Sequence, residues 1–430
     1  MSTKTIAIEK LKIGMCICEL DISWIQSPFL RTKFVIRTAK EIALLQEAGV
    51  KKLKIDTAKG LDVERSSADK SANSEIPSEQ NPAATASVPK VDPKPSNTKQ
   101  SAPKQIIDTK PTVLAQELEY VQILKGKAND TFKSLNSAIA NNQPIESSEL
   151  VPVIDDTISS LMRNNQALLT MMHLKRFEKE LFSHSFSVMT LALSLAMSLD
   201  YSQQDLKNIG MASLLHDLGW ARLPLHLLGK SKAYSQNESK VIQKHIPIVV
   251  AQLLKNPDIN SEVIVMISQH HERSDGSGYP AGKQQQELHP GAQLLGLIDY
   301  YDEIVHGLLD SPGMVPSLAL KTLFIETQKG KFERQLVQNL IALLGIYPVT
   351  SAVMLSSGEK GVVTAINEGF PLTPVVKIFY DSNGRALVNP EVVDLGEDEE
   401  GRKIKQPLDL AEKKIDPLQL LAISNYKVLV

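Results

Sequence analysis

With 430 residues and a formal net charge of −2, the chain is long enough for two or three domains, and its near-neutral balance gives no electrostatic reason to expect duplex DNA or an anionic membrane as partner. Two cysteines exclude a disulfide framework. No secretory signal opens the chain and no apolar run reaches the roughly 18 residues of a membrane span, so a cytoplasmic protein is expected.

Residues 1–60 read as a small α+β module. IAIEKLKIG and CICELDIS have strand patterns, FVIRTAKEIALLQEAGV leads from a strand into a helix ending at Gly49, and KKLKID returns as a strand. Cys16 and Cys18 alternate with apolar residues, the pattern of buried, reduced thiols on one strand face. Trp24 and Phe29 are candidates either for an aromatic contact surface or for the module's own core.

From 61 to 112 serine, proline, lysine and alanine dominate, and no aromatic residue stands between Phe34 and Tyr120. Such a stretch cannot bury enough apolar area to offset its chain entropy, so a disordered tether is expected. Its lysines lack the interleaved aromatics of a single-strand nucleic-acid site.

Helical periodicity resumes in VLAQELEYVQILKGKANDTFKSLNSAI and, after a break near residue 143, in ELVPVIDDTISSLMRNNQALLTMMHLKRFEKEL. His173 lies in that second helix and is read as packed or surface-facing. The next helical run holds Glu180 and His184 four apart, hence on one face. His216 and Asp217 close the apolar run MASLLHDLGW, and His245 sits in ESKVIQKHIPIVVAQLL. The densest stretch is QHHERSDGSGYP, from Gln269 to Pro280, with Asp299 following in AQLLGLIDYYDEIVHG.

Histidine is scarce, nine in the whole chain, so this clustering is informative. Imidazoles mixed with carboxylates, without thiolates, suit Fe, Mn, Zn or Ni rather than Ca or Mg. Up to eight such groups are too many for one tetrahedral ion. A cluster of two or three ions with Asp217 as bridge is the economical arrangement. Adjacent His270 and His271 make a poor packing motif, because neutral imidazoles still need partners for both nitrogens.

Beyond Pro348, VMLSSGEKGVVTAI and VKIFYDSNGRALV each read as strand, turn, strand, with SGEKG and DSNG as hairpin signals. Residues 349–430 are therefore expected to form a β-rich domain. Lacking histidine and cysteine, it is suited to docking or regulation.

In order and spacing, Glu180, His184, His216–Asp217, His245, His270–His271, Gly278–Tyr279–Pro280 and Asp299 resemble the HD-GYP family, the bacterial phosphohydrolases of cyclic di-GMP, over roughly residues 165–345. GMCICELDISWIQSPF resembles the N-terminal domain of unknown function often found ahead of them. The resemblance implies a mostly α protein, with an HD-type helical bundle over 113–348 between the two smaller domains. It implies two or three divalent ions, Fe or Mn first: His184, His216, Asp217 and Asp299 on one, Asp217, His245, His270 and His271 on the second, and Glu180 helping with a third.

His216, Asp217 and Asp275 would then carry the catalysis, and Gly278, Tyr279 and Pro280 the substrate side. Trp220 is a further candidate, as a base-stacking platform. The Gly-Tyr-Pro loop can equally be architecture. His226, His289 and His306 fall outside the family positions and are read as structural.

The chain departs from the family at its phosphate anchors. Trp220 stands where a lysine is usual, Gln293 where an arginine is usual, and Leu308 and Ser311 where basic residues are usual. Counting the pair at 308 and 311 as one, three missing anchors at ~1.5 to 3 kcal/mol per charge-assisted hydrogen bond weaken the grip by roughly 4 to 9 kcal/mol. Arg222 or Lys230 are candidate replacements. Two expectations follow: a metal-dependent phosphodiesterase giving the linear dinucleotide or GMP, or a non-catalytic module that binds cyclic di-GMP or a partner such as a diguanylate cyclase domain. Hydrolysis of another phosphoester is the third alternative.

Overall fold

The computed structural model describes residues 3–21, 34–47, 49–57, 59–61, 111–174, 181–227, 234–307, 313–367 and 369–409. Trp24, Phe29 and nearly all of the expected tether lie outside these residues. The chain divides into two compact units, residues 107–430 with 27–30 forming the larger.

The N-terminal unit contains β1 (Thr3–Ala7), β2 (Cys16–Leu20), β3 (Phe34–Val35), α1 (Ala39–Glu47) and β4 (Lys52–Asp56), in an antiparallel sheet of order β1-β4-β2-β3. Alternation puts Ile6, Ile17, Leu53 and Ile55 on the buried side. The first strand is shorter than its apolar pattern: it stops at Ala7, and Ile8–Lys10 form a 3-10 turn closed by the Leu11 N–H on the Ile8 carbonyl. Both cysteines are free thiols. Cys16 is buried as expected, whereas Cys18 is only half-buried and donates to the Lys54 carbonyl.

The larger unit is helical for most of its length. Its helices are α2 (Leu114–Ala140), α3 (Leu150–Leu174), α4 (Leu181–Ser198), α5 (Gln203–Leu215), α6 (Gln236–Ile242), α7 (His245–Leu253), α8 (Ser261–Gln269), α9 (Pro290–His306), α10 (Pro316–Gln328) and α11 (Arg334–Leu344). Starts follow capping chemistry: Ser202 with Asp205 and Ser235 with Glu238 make reciprocal capping boxes, Asn260 caps α8, and His289 with Pro290 opens α9.

The helix α4 is buried on every side, as a helix enclosed by others is, with His184, Ser187 and Thr190 among its buried residues. It packs on α3, α5 and α9. By length and composition it could cross a membrane, but 78% of that window is buried inside the protein.

Five strands follow: β5 (Ala352–Leu355), β6 (Lys360–Ala365), β7 (Val375–Tyr380), β8 (Ala386–Asp394) and β9 (Ile404–Leu408), in the antiparallel order β8-β7-β6-β5-β9. Both hairpin signals are realised. Gly358 takes φ +95° in the first turn, and the Asp381 carboxylate accepts the Asn383 and Arg385 N–H groups in the second. Val353, Leu355, Val363, Val376 and Ile378 form the core of the sheet.

One buried ion pair joins α2 to α3. Glu117, 1% exposed, receives both prongs of the Arg163 guanidinium at 2.9 and 2.7 Å, with the Ser160 and Thr112 hydroxyls completing its carboxylate. Burial pushes Glu117 up, but Arg163, Thr112 and Ser160 outweigh it and hold the carboxyl below its ordinary range. Glu117→Gln leaves the guanidinium buried without its counter-charge and is expected to destabilise this unit by about 3 to 5 kcal/mol in denaturant unfolding. Because the folded pKa is depressed, the wild-type advantage is full above the ordinary glutamate range and shrinks as pH falls through it toward the folded value. A gap that does not shrink in acid rules out the charged pair as its source.

Candidate metal centre

Three of the histidines stand at helix ends, and that placement decides what they can do. His216 caps the end of α5, His270 caps the end of α8, and His245 opens α7 just after α6. The last carbonyls of a helix have no partner within it. Each of these rings uses one: Nδ1 lies 2.8 Å from the Ser213 oxygen in His216, 2.7 Å from the Ile242 oxygen in His245 and 2.6 Å from the Ile267 oxygen in His270. A carbonyl only accepts, so Nδ1 carries the proton and Nε2 keeps a lone pair.

His184, on α4, is held differently. Its Nδ1 donates to Asp302 Oδ2 at 2.8 Å, while the other Asp302 oxygen accepts the Ser187 hydroxyl and lies 3.0 Å from His306 Nδ1. This carboxylate–histidine arrangement commonly orients a metal ligand.

The free nitrogens converge on Asp217 and Asp299. Asp217 Oδ2 lies 3.6 Å from Nε2 of both His184 and His216, while its Oδ1 faces His245 Nε2 at 3.4 Å and His270 Nε2 at 4.0 Å. Asp299 Oδ1 is 3.1 Å from His184 Nε2 and 3.5 Å from His216 Nε2, and Oδ2 is 3.6 Å from His271 Nδ1. Two donor groups result, His184–His216–Asp299 and Asp217–His245–His270–His271, each with its ligand atoms within 4.8 Å of one another.

Asp217 Oδ1, Asp299 Oδ2, His245 Nε2 and His270 Nε2 are buried without a hydrogen-bond partner among the described residues. Lone pairs converging in a dry interior repel one another unless a cation lies among them, so this donor set fits divalent metal.

The electrostatics agree. Burial, then His216, pushes His270 down to about 3, and burial, then His270, holds His271 well below its usual value. Burial raises Asp217 and Asp299, but the surrounding histidines outweigh it and keep both ionised. Burial would lower His184 and His216. The carboxylates of Asp299 and Asp302 for the first, and of Asp217 and Asp299 for the second, hold them up instead. Neutral imidazoles and ionised carboxylates are the ligating forms, and the raised pair marks where positive charge is favoured.

The loop after His271 forms one wall. Tyr279 stacks on His271 with ring centroids 4.6 Å apart, and its N–H donates to the His271 carbonyl. The buried Glu272 carboxylate accepts the Ala281 and Lys283 N–H groups, and Tyr279–Pro280 is a cis peptide. At Gly278 a Cβ would lie 2.4 Å from the Arg273 nitrogen, so only glycine lets the loop fold back this closely. Two further glycines matter in the same way: a Cβ at Gly219 would lie 1.9 Å from the His245 oxygen, and one at Gly296 2.1 Å from the His270 oxygen.

Other candidates fall outside the cluster. Asp275 is exposed, belongs to neither donor group, and uses its carboxylate to accept the Ser277 N–H and hydroxyl, which is turn chemistry. Trp220 is 3% exposed, packed with Leu223, Leu227 and Ile242 and stacked on His245 at 5.7 Å. It therefore backs a ligand histidine, which replaces the expectation of an open base-stacking platform. Gln293 Oε1 is buried without a partner among the described residues.

Glu180, Lys230, Leu308 and Ser311 lie outside the described residues. His289 caps α9, and His306 is buried against Asp302. Asp302, Ser187, Glu272, Gly219 and Gly296 were missed in the sequence. Asp302 alone was within reach there, three residues after Asp299 and four before His306 on one helical face.

Comparison with known proteins gives three domain matches: the domain of unknown function DUF3391 over residues 3–150, an HD domain over 152–336, and a KOW domain associated with HD domain over 352–414. The cyclic di-GMP phosphodiesterase PA4108 of Pseudomonas aeruginosa is 28% identical over 394 residues, covering 91% of this chain and 89% of the relative. The cyclic di-GMP phosphodiesterase PdeB of Borreliella burgdorferi is 22% identical, over 47% of this chain and 53% of its own. The 3'3'-cGAMP-specific phosphodiesterase 1 of Vibrio cholerae is 25% identical over 37% of each chain. Among solved structures, the HDG"Y"P protein Bd1817 of Bdellovibrio bacteriovorus aligns with a TM-score of 0.44 at 18% identity, over 79% of this chain and 98% of that one.

Asp302→Ala removes the acceptor that orients His184. The variant is expected to bind divalent metal about 10- to 100-fold more weakly, measured by competition with a chromophoric chelator, with helical content kept. Unchanged affinity would separate His184 from the metal centre.

Proposed function

We propose that this chain, an HD domain behind a DUF3391 domain, is a metal-dependent phosphodiesterase that hydrolyses cyclic di-GMP to the linear dinucleotide or GMP. The observation that carries the reading is the pair of donor groups flanking Asp217, whose two oxygens turn to different groups and whose Oδ1 has no other partner among the described residues. Relatives named for cyclic di-GMP, and one for 3'3'-cGAMP, support a cyclic dinucleotide as the substrate class.

His184, His216, Asp217 and Asp299 would hold one ion, and Asp217, His245, His270 and His271 a second. Iron or manganese suits this mixture of nitrogen and oxygen. By the family resemblance Glu180, which lies outside the described residues, would help hold a third ion. When bound, the ions supply Lewis acidity at a phosphodiester oxygen and an acidified water.

The protein's part is to hold the donors in place. Helix-end carbonyls fix three imidazoles, Asp302 fixes a fourth, and Tyr279 covers the His271 ring on the substrate side. Attack by water requires no side-chain nucleophile. Residues 113–348 form the catalytic domain in this reading, acting in the cytoplasm, with a diguanylate cyclase domain as a partner.

A second reading has a specific basis. Trp220, where a lysine would grip phosphate, is packed into the core, and Gln293 offers a neutral amide in place of a guanidinium. A protein with a full donor set and few phosphate anchors would bind cyclic di-GMP, or a protein partner, without turning the nucleotide over. Loading the full-length protein with Mn or Fe and supplying cyclic di-GMP separates the two. Turnover should appear in the wild type and fall by at least about a thousandfold in Asp217→Ala. Metal bound at full stoichiometry with no product from cyclic di-GMP would overturn the phosphodiesterase reading.

A further inference from the structure

An open groove with cationic side chains along it lies beside α7, outside both donor groups. It measures about 440 Å³. Arg222, Lys244 and Lys255 line it, and no acidic side chain does. All three cations are exposed, and none has a carboxylate within ion-pair distance among the described residues. Lys244 stands just before α7 and Lys255 just beyond its end, and both line the same groove.

The rest of the lining is not that of a simple counter-ion trap. Pro247 and Ile248 give it an apolar side, and Gln252, only 1% exposed, lines it next to Asn142. The Lys255 ammonium donates to Asn142 Oδ1 at 3.0 Å, which fixes that amide, and the same oxygen accepts Gln252 Nε2 at 2.6 Å. Gln252 Oε1 is thereby left as a buried acceptor with no partner among the described residues. Concentrated positive charge, an apolar flank and an unused amide acceptor suit a ligand with an anionic group, a flat apolar body and N–H donors.

We propose that this groove is a nucleotide-phosphate site, separate from the metal centre, that takes a nucleoside monophosphate with its phosphate against Arg222, Lys244 and Lys255. The groove is physically linked to the centre. Arg222 ends the turn that carries Trp220, Trp220 stacks on His245, and Lys244 is the residue before His245. A nucleotide in the groove therefore bears on the segment that presents a metal-facing imidazole, which makes the groove a place where a nucleotide regulates the site. The inference does not depend on which phosphoester the metal centre handles, because its test reads binding, not turnover.

Calorimetric titration of the full-length protein with GMP, with AMP and with inorganic phosphate tests it, beside Lys244→Glu/Lys255→Glu of matched metal content and Arg222→Gln as a milder second variant. Wild type should bind a nucleoside monophosphate more tightly than inorganic phosphate. Affinity should fall at least about tenfold in the double reversal, and in Arg222→Gln by a smaller factor. Added salt should weaken binding.

No binding of either nucleotide overturns the site, and a glutamate-rich peptide binding in their place would mark a protein-docking surface. Equal affinity in wild type and both variants would move the nucleotide to the metal centre and overturn the site as well. Inorganic phosphate binding as tightly as GMP would remove the nucleoside from the assignment.

Discussion

A histidine can ligate only if something else takes its other nitrogen, and here the ends of helices do that. The carbonyls of Ser213, Ile242 and Ile267 are left over by helix geometry, and each is reached by the Nδ1–H of the histidine three residues on. The proton is thus assigned before any metal is considered. Nε2 is turned inward as a lone pair, and the same bond sets the ring's direction. One helix-end device used three times gives three equivalent donors, and the Asp302 carboxylate gives the fourth through His184.

Close packing brings those donors together. α4 is enclosed, so His184 is held by core contacts along the whole helix. Where two backbones must almost touch, the chain has glycine: Gly219 under His245, Gly296 under His270 and Gly278 under the His271–Arg273 segment. A methyl group at any of the three would sit closer to a neighbouring backbone atom than side chains tolerate, so ligand placement depends on residues that carry no functional group.

The sequence disclosed the parts list better than the assembly. Ligand-type residues were legible because histidine is rare and its positions coincide with helix ends and a dense acidic turn. The β-rich C-terminal domain was legible from two hairpin turns. What stayed hidden depends on distance through space. The role of Gly219 appears only once the His245 carbonyl is seen against it. The packing of Trp220 depends on Leu223, Leu227 and Ile242 arriving around it. Asp275 looked chemical because it sits in a conspicuous motif, yet its carboxylate is spent on Ser277 two residues away, a local bond that motif reading does not weigh. The single helix expected across residues 149–181 is interrupted inside α3 at Asn164, whose φ of −162° and ψ of 95° are extended rather than helical.

The seven gathered donors come from five places in the chain, between residues 184 and 299, and no two adjacent helices suffice to make either group. Whatever ion they grip is therefore gripped only by the fully docked bundle, and loosening any one of α4, α5, α7, α8 or α9 dissolves a coordination sphere. By mass action an ion bound there would act as a rivet, adding to the bundle's cohesion in proportion to the logarithm of its free concentration over its dissociation constant. Scarcity of that metal in the surroundings would be felt first as a softer protein.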